Sequence, residues 1–259
     1  MTVLQRRWRN RLIAHVGLWA GILALTVWAC WWSEFSVRSL FQSGPGFLDF
    51  FERMKSPDWS VSGDVFTATV ETLTIALAGT AISVVVSLPL GFLASSNVSP
   101  VWISSPAESF IENIPAVPLI LVAIVFVAAV GLGPFPGVLA IAFHSTGMLA
   151  KFYAEEFETA GEGVIQAIKG TGAGWVQTLR YGVFSQSIPQ LVSFTVYRLE
   201  MNFRDATVLG LVGAGGIGYY IHIYVNSFQY AKVSVLLLMV LAVVFVLDQV
   251  TFWVRRWVR

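Results

Sequence analysis

Four stretches of this chain contain no Asp, Glu, Lys or Arg: residues 12–33, 72–107, 113–150 and 206–231. No other sequence feature restricts the fold as much. A bilayer core is crossed by about 20 mostly apolar residues in helical form. Backbone polar groups in lipid must bond internally, which makes the helix the default spanning element. Composition agrees: 56% of the residues are hydrophobic, 12% are charged, and the mean hydropathy is +0.71. Soluble domains carry roughly 25% charged residues, so this chain has too little charge to cover a water-facing surface. The expected class is an all-α polytopic membrane protein. A net charge of +1 points to no nucleic-acid partner. The single cysteine, Cys30, excludes an intrachain disulfide and reads as an inert residue of an apolar helix.

About six spans are expected, over Leu12–Trp32, Val65–Ala94, Pro115–Val130, Val138–Tyr153, Ser185–Phe203 and Val233–Trp253. The second reads as broken late, at Pro89 and Gly91. Arg6, Arg7, Arg9 and Arg11 precede the first span, and Arg255, Arg256 and Arg259 follow the last. By the positive-inside rule both termini are cytoplasmic, as an even number of spans requires. The first apolar run is longer than a cleaved signal's and lacks an A-x-A site, so it reads as a retained anchor. Residues 33–64 are net acidic and suit the outer face, with a short amphipathic helix around Phe47–Met54. The organisation is then an N-terminal anchor with an outer-face segment (1–64) and a core membrane domain (65–253), with a polar cytoplasmic loop at about 155–184. Eight tryptophans, among them Trp28, Trp59, Trp102 and Trp253, stand near span ends, as an interfacial belt does.

Three clusters carry candidate chemistry. "VGAGGIG" spells G-x-G-x-x-G with Gly213, Gly215 and Gly218. A dinucleotide turn needs a βαβ unit and an acidic residue about 20 positions on. The next acid is Asp248, inside the last span, so Gly213, Gly215, Gly216 and Gly218 read instead as small residues that let backbones pack closely. In "YRLEMNFRD", Glu200 and Arg204 stand at i, i+4 and Arg198 and Asp205 at i, i+7, so each pair shares a helix face. Charges at this depth face a bundle interior or a wet cavity. Arg198, Glu200 and Arg204 are candidates for the path of an oxyanion, which a guanidinium suits; a structural ion-pair latch fits the same residues. Glycines 163, 170, 172 and 174 punctuate two short helical pieces, Val164–Lys169 and Trp175–Tyr181, on the cytoplasmic side. They read as a docking knob or as a plain surface loop. His15, His144 and His222 have no metal-ligand spacing, and no metal site is expected. Glu71 and Asp248 are span acids that read as paired or at helix ends.

The stretch "GVIQAIKGTGAGWVQTLRYGVFSQSIP" resembles the "EAA" loop of permease subunits of binding-protein-dependent ABC importers. Gln166, Ala167 and Ile168 take the E-A-A place and Gly172 the glycine place. Gln166 replaces the acid and Ser185 the proline. The stretches "FVAAVGLGPF", "ATVLGLVGAGGIG" and H-x-x-G-x-L-x-K (His144 to Lys151) resemble the phosphonate-type permeases of that superfamily, over residues 65–253. The resemblance implies a type I importer fold and a non-enzymatic pore half for phosphonate, phosphite, hypophosphite or a related oxyanion. It implies a second permease chain, identical or paralogous, two cytoplasmic ATPase subunits gripped through Gln166, Ala167, Ile168 and Gly172, and a periplasmic binding protein. ATP and Mg would be held by the ATPase, in agreement with the lack of a G-x-x-x-x-G-K-[ST] here. An ion-coupled secondary transporter or channel is the alternative, and a membrane oxidoreductase a third class.

Overall fold

The computed structural model describes residues 3–33, 46 and 48–258. It divides into two units, Met1–Arg53 and Met54–Arg259. In the first, α1 (Val3–Trp32) is one continuous helix. From His15 to Trp32 its mean hydropathy is 1.3, and nearly every side chain there is exposed. Thr26 donates its hydroxyl to the Ile22 carbonyl at 2.9 Å, which satisfies a polar group within the helix. Of the acidic segment expected after it, residues 34–45 and 47 lie outside the described residues; residues 48–54 are helical.

The second unit is built on one helix pair. α2 (Ser62–Ala94) runs against α5 (Pro134–Glu158), the most extensive contact between elements in the chain. Glycines set the distance. A Cβ at Gly79 would stand 2.6 Å from the Ile141 side chain, and one at Gly91 2.9 Å from the Tyr153 Cβ. α3 (Val101–Asn113) and α4 (Leu119–Val130) flank this pair. Lys151 of α5 reaches Glu112 of α3 at 2.7 Å. α6 (Glu162–Gly170) and α7 (Trp175–Thr178) form the polar knob. A π-helical segment, Leu179–Phe184, joins α7 without a break to α8 (Ser185–Leu209). α9 (Ile217–Asn226) and α10 (Tyr230–Val258) complete the unit. The main core gathers Ile75, Ala123, Ile141, Phe203 and Leu209 from α2, α4, α5 and α8.

Several expectations change. α2 is not broken at Pro89 and Gly91: both lie inside one helix. A proline costs a helix one hydrogen bond, but spanning helices tolerate it because neighbouring groups re-satisfy the backbone. The third expected span shortens to the twelve residues of α4, since Pro115 and Pro118 exclude the residues before it from the helix. The fourth lengthens to Glu158 and takes the first residues of the expected loop. The fifth reaches Leu209, and the sixth includes Arg255 and Arg256 in its last turn. The glycine run does not turn straight into the last span, because α9 intervenes. Among the described residues, three helical stretches are long and apolar enough to cross a membrane unaided: His15–Trp32, Trp59–Ala94 and Tyr230–Val258. A fourth candidate is the pair Trp175–Val212 and Ile217–Asn226, bent by 47°. α5 has 25 residues but is not among them, because it is the inner helix. It buries His144, Ser145 and Thr146 among small residues, where protein rather than lipid surrounds it.

Candidate functional site

The charge cluster on α8 is the end of a directed chain of hydrogen bonds. Arg198 Nε donates to Ser145 Oγ on α5 at 3.0 Å. Ser145 Oγ donates to Asn202 Oδ1 at 2.7 Å. Asn202 Nδ2 donates to Thr80 Oγ1 on α2 at 2.8 Å, and Thr80 donates to the Ala76 carbonyl at 2.6 Å. Each hydroxyl accepts once and donates once, so the chain has one direction and no orphan. It ties three helices at one level of the bundle. Arg198 Nη2 meets Asp205 Oδ2 at 3.3 Å; the arginine side chain is 7% exposed and the aspartate 35%. This is the i, i+7 pair read from the sequence. The i, i+4 pair also forms, with Arg204 bonded to Glu200. Here the burial is reversed: Glu200 is 8% exposed and Arg204 48%. The two arginines are therefore unlike. Arg198 is committed to the interior, whereas one side of Arg204 stays open.

The glycine run closes over the start of the α2–α5 pair. Gly213, Gly215 and Gly216 have φ of +90°, +78° and +72°, a left-handed backbone that glycine adopts without steric cost. Gly210 to Gly213 form a tight turn in which Gly213 N–H donates to the Gly210 carbonyl at 3.2 Å. Ala214 N–H donates to Leu209 O at 3.3 Å, and Gly133 N–H to Gly213 O at 3.0 Å. Ile217 N–H donates to Thr72 Oγ1 on α2 at 2.8 Å. A Cβ at Gly218 would meet the Gly210 Cα at 2.7 Å, and one at Gly215 the Glu71 carboxylate at 2.5 Å. The partners of these glycines within the chain are thus α2, the 131–134 turn and the end of α8. No strand is present among the described residues, so the βαβ unit of a dinucleotide site is absent from them.

The knob is fixed from behind. Ile165 of α6 is buried with Phe157, Val183 and Leu191. A Cβ at Gly182 would lie 3.2 Å from the Ile168 side chain, so the glycine lets α6 rest on the π segment. The 95–100 turn holds the end of α5: Ser96 N–H donates to Glu158 Oε1 at 2.7 Å and Asn97 Nδ2 to Phe157 O at 2.8 Å. Gln166 and Ala167 face out, and Ile168 is half-buried. Gly172 follows the α6 C-cap Thr171, with φ +82° and open space around the position of a Cβ. Backbone conformation, not crowding, requires the glycine there.

Sequence reasoning missed Thr80, Ser145 and Asn202. Threonine and serine at helix positions ordinarily bond the carbonyl four residues back, as Thr69 and Thr74 do here; nothing local marks the ones that reach another helix. Among the described residues, no group of three or more His, Cys, Asp or Glu could hold a metal ion.

Comparison with known proteins adds the following. Residues 87–259 match the family model described as binding-protein-dependent transport system inner membrane component. The chain is 36% identical over 251 residues to the phosphite transport system permease protein PtxC of Stutzerimonas stutzeri, covering 96% of this chain and 90% of that one. It is 37% identical over 213 residues to the phosphate-import permease protein PhnE of Mycolicibacterium smegmatis, covering 80% of this chain. The chain spans 40% of that relative's length. Among solved structures, an inward-facing conformation of the MetNI methionine ABC transporter is similar with a TM-score of 0.67 at 18% identity, over 75% of this chain and 96% of that one. At that identity the likeness establishes the fold alone.

Proposed function

We propose, from the premise that this chain belongs to the family of binding-protein-dependent transport system inner membrane components, that it carries phosphite, phosphonate or a related phosphorus oxyanion inward. The reading rests on one observation above others: near-full-length similarity to a phosphite permease in a chain whose α6–α7 knob is continuous with the helix bearing Arg198 and Arg204. ATP-driven movement at the knob then reaches the charged span through one rigid element. A second copy of the chain, two ATPase subunits holding ATP and Mg, and a periplasmic binding protein complete the transporter. Both termini are cytoplasmic. The ATPase grips the exposed face of α6, with Gln166, Ala167 and Ile168, and needs the turn at Gly172.

Within the path, Arg204 is the better placed guanidinium, because Arg198 already serves the buried chain of bonds. Glu200 holds Arg204 and keeps its charge in check. In cells also expressing the ATPase and binding protein encoded with this chain, uptake of labelled phosphite should fall about tenfold on Arg204→Ala, the loss expected of one charge-assisted hydrogen bond. Protein in the membrane should be unchanged. Wild-type uptake removes Arg204 from the path; uptake of methionine or glycine betaine in preference to phosphite overturns the substrate class.

The knob has its own test. Gly172→Val forces a β-branched residue to positive φ, at a cost of about 1–3 kcal/mol, in a place where no contact is lost. Co-purified ATPase should drop severalfold while the permease itself melts only a few degrees below wild type. Unchanged assembly and uptake would exclude Gly172 from coupling.

A further inference from the structure

Phe152, Gln190, Ser193, Phe194, Tyr197 and Arg255 line a cleft of about 280 Å³ between α5, α8 and α10. Phe152 and Phe194 stack at 5.0 Å and make an apolar wall. The Arg255 guanidinium, also in the lining, lies 5.7 Å from the Tyr197 ring centroid. Its Nε is buried and has no hydrogen-bond partner. No carboxylate lines the cleft, and no ion pair to Arg255 occurs among the described residues. The neighbouring Arg256 differs: it is exposed and rests on Trp253 at 6.0 Å.

A buried guanidinium N–H without an acceptor has given up its bond to water and gained nothing in exchange. It is tolerated where a ligand supplies the acceptor. Gln190 makes no hydrogen bond among the described residues and adds two amide donors. Ser193 already donates to the Pro189 carbonyl at 2.9 Å, so it orients the wall and leaves donation to Arg255, Gln190 and the Tyr197 hydroxyl. Such donors around one fixed positive charge, with no acid to compete, suit an anion with several equivalent oxygens. The cleft holds several waters' worth of space, a water taking about 30 Å³. It lies where the later turns of α5 and α10 meet the first half of α8, and its lining on α8 runs from Gln190 to Tyr197, one residue short of Arg198.

We propose that this cleft is an anion site for a phosphate group, supplied either by the headgroup of an anionic lipid or by free phosphate. The site bridges α8 and α10, and its charge is that of Arg255 rather than of Arg198 or Arg204. Full-length protein purified in mild detergent is exchanged through vesicles of phosphatidylcholine with or without phosphatidylglycerol and examined by native mass spectrometry. In parallel, inorganic phosphate is titrated against lipid-stripped protein, with the melting temperature as readout. A phosphatidylglycerol adduct retained in wild type and Arg256→Gln, and reduced about tenfold in Arg255→Gln, identifies the lipid source. Saturable stabilisation by phosphate with the same pattern identifies the free anion. Gln190→Leu keeps the charge and should weaken the same signal severalfold, which guards against misfolding of the arginine variant. Equal losses in Arg255→Gln and Arg256→Gln, or no binding in either arm, overturn the proposal.

Discussion

Replacing Gly218 by alanine should sharply reduce folded protein in the membrane and lower the melting temperature of what remains. The added Cβ would land on the Thr207 carbonyl and 2.7 Å from the Gly210 Cα. These are backbone atoms of α8 and its following turn, and they cannot rotate aside as a side chain can. Overpacking a tight site costs about 1–3 kcal/mol and occasionally more; backbone on backbone belongs at the upper end. Domains are stable by only about 5–15 kcal/mol, so the loss is a large share. Gly163→Ala and Gly170→Ala add the same methyl where nothing stands within 4 Å. Those two should melt like wild type, or slightly above it, since alanine favours helix. Detergent-solubilised protein carrying a fluorescent tag, followed by size-exclusion and thermal melting, reads all three. A Gly218→Ala protein as abundant and stable as wild type would mean the turn does not pack as described.

The second large effect concerns the Arg198–Asp205 pair. Removing one partner of a buried ion pair leaves an uncompensated charge, at about 3–5 kcal/mol. Asp205 is one-third exposed, which screens it, so Asp205→Leu should cost less than that range suggests, about 2–3 kcal/mol. Arg198→Leu additionally strips Ser145 of its donor. The double variant Arg198→Leu/Asp205→Leu removes both charges and should recover part of the stability lost by Asp205→Leu alone. A double-mutant cycle on melting temperatures measures this. Additive losses would show that the two side chains do not sense each other. Conversely, Asn202→Leu leaves the charges paired but severs α5 from α2 at Thr80, and its effect should not be rescued by any change at Asp205.

Which parts of this were legible beforehand follows physical lines. Long apolar runs announce helices that face lipid, so α2 and α10 could be placed within a few residues and α1 at its end, although α1 begins at Val3 rather than Leu12 because its arginine-rich start is helical too. α5 was announced by its lack of charge and the turn before it, but its inner position was not legible, since an inner helix carries serine, threonine and histidine like a soluble one. The ion pairs at α8 were readable because helix geometry alone dictates spacing of four and seven. The hydroxyl and amide chain through Ser145, Asn202 and Thr80 was not, because its order depends on how helices 57 and 122 residues apart in sequence cross. α9 was missed for another reason: four glycines before it look like the end of structure, whereas Gly216 serves as its N-cap. The knob's two helices matched the glycine spacing, but sequence periodicity gave no sign that the second of them continues into a span.

That continuation passes through the wide turn at Leu179–Phe184, where Ser185 N–H bonds the Arg180 carbonyl rather than the one four residues back. An α-helix advances about 100° per residue, and a wide turn accommodates an extra residue in the same length. The azimuth of α7 about the common axis is therefore offset from that of Arg198 and Arg204 by roughly one residue's rotation. The turn acts as a phase setter between two ends of a shaft. Were the extra residue passed along the shaft, a torque at the knob would become a rotation of the charged face without any change in helix length.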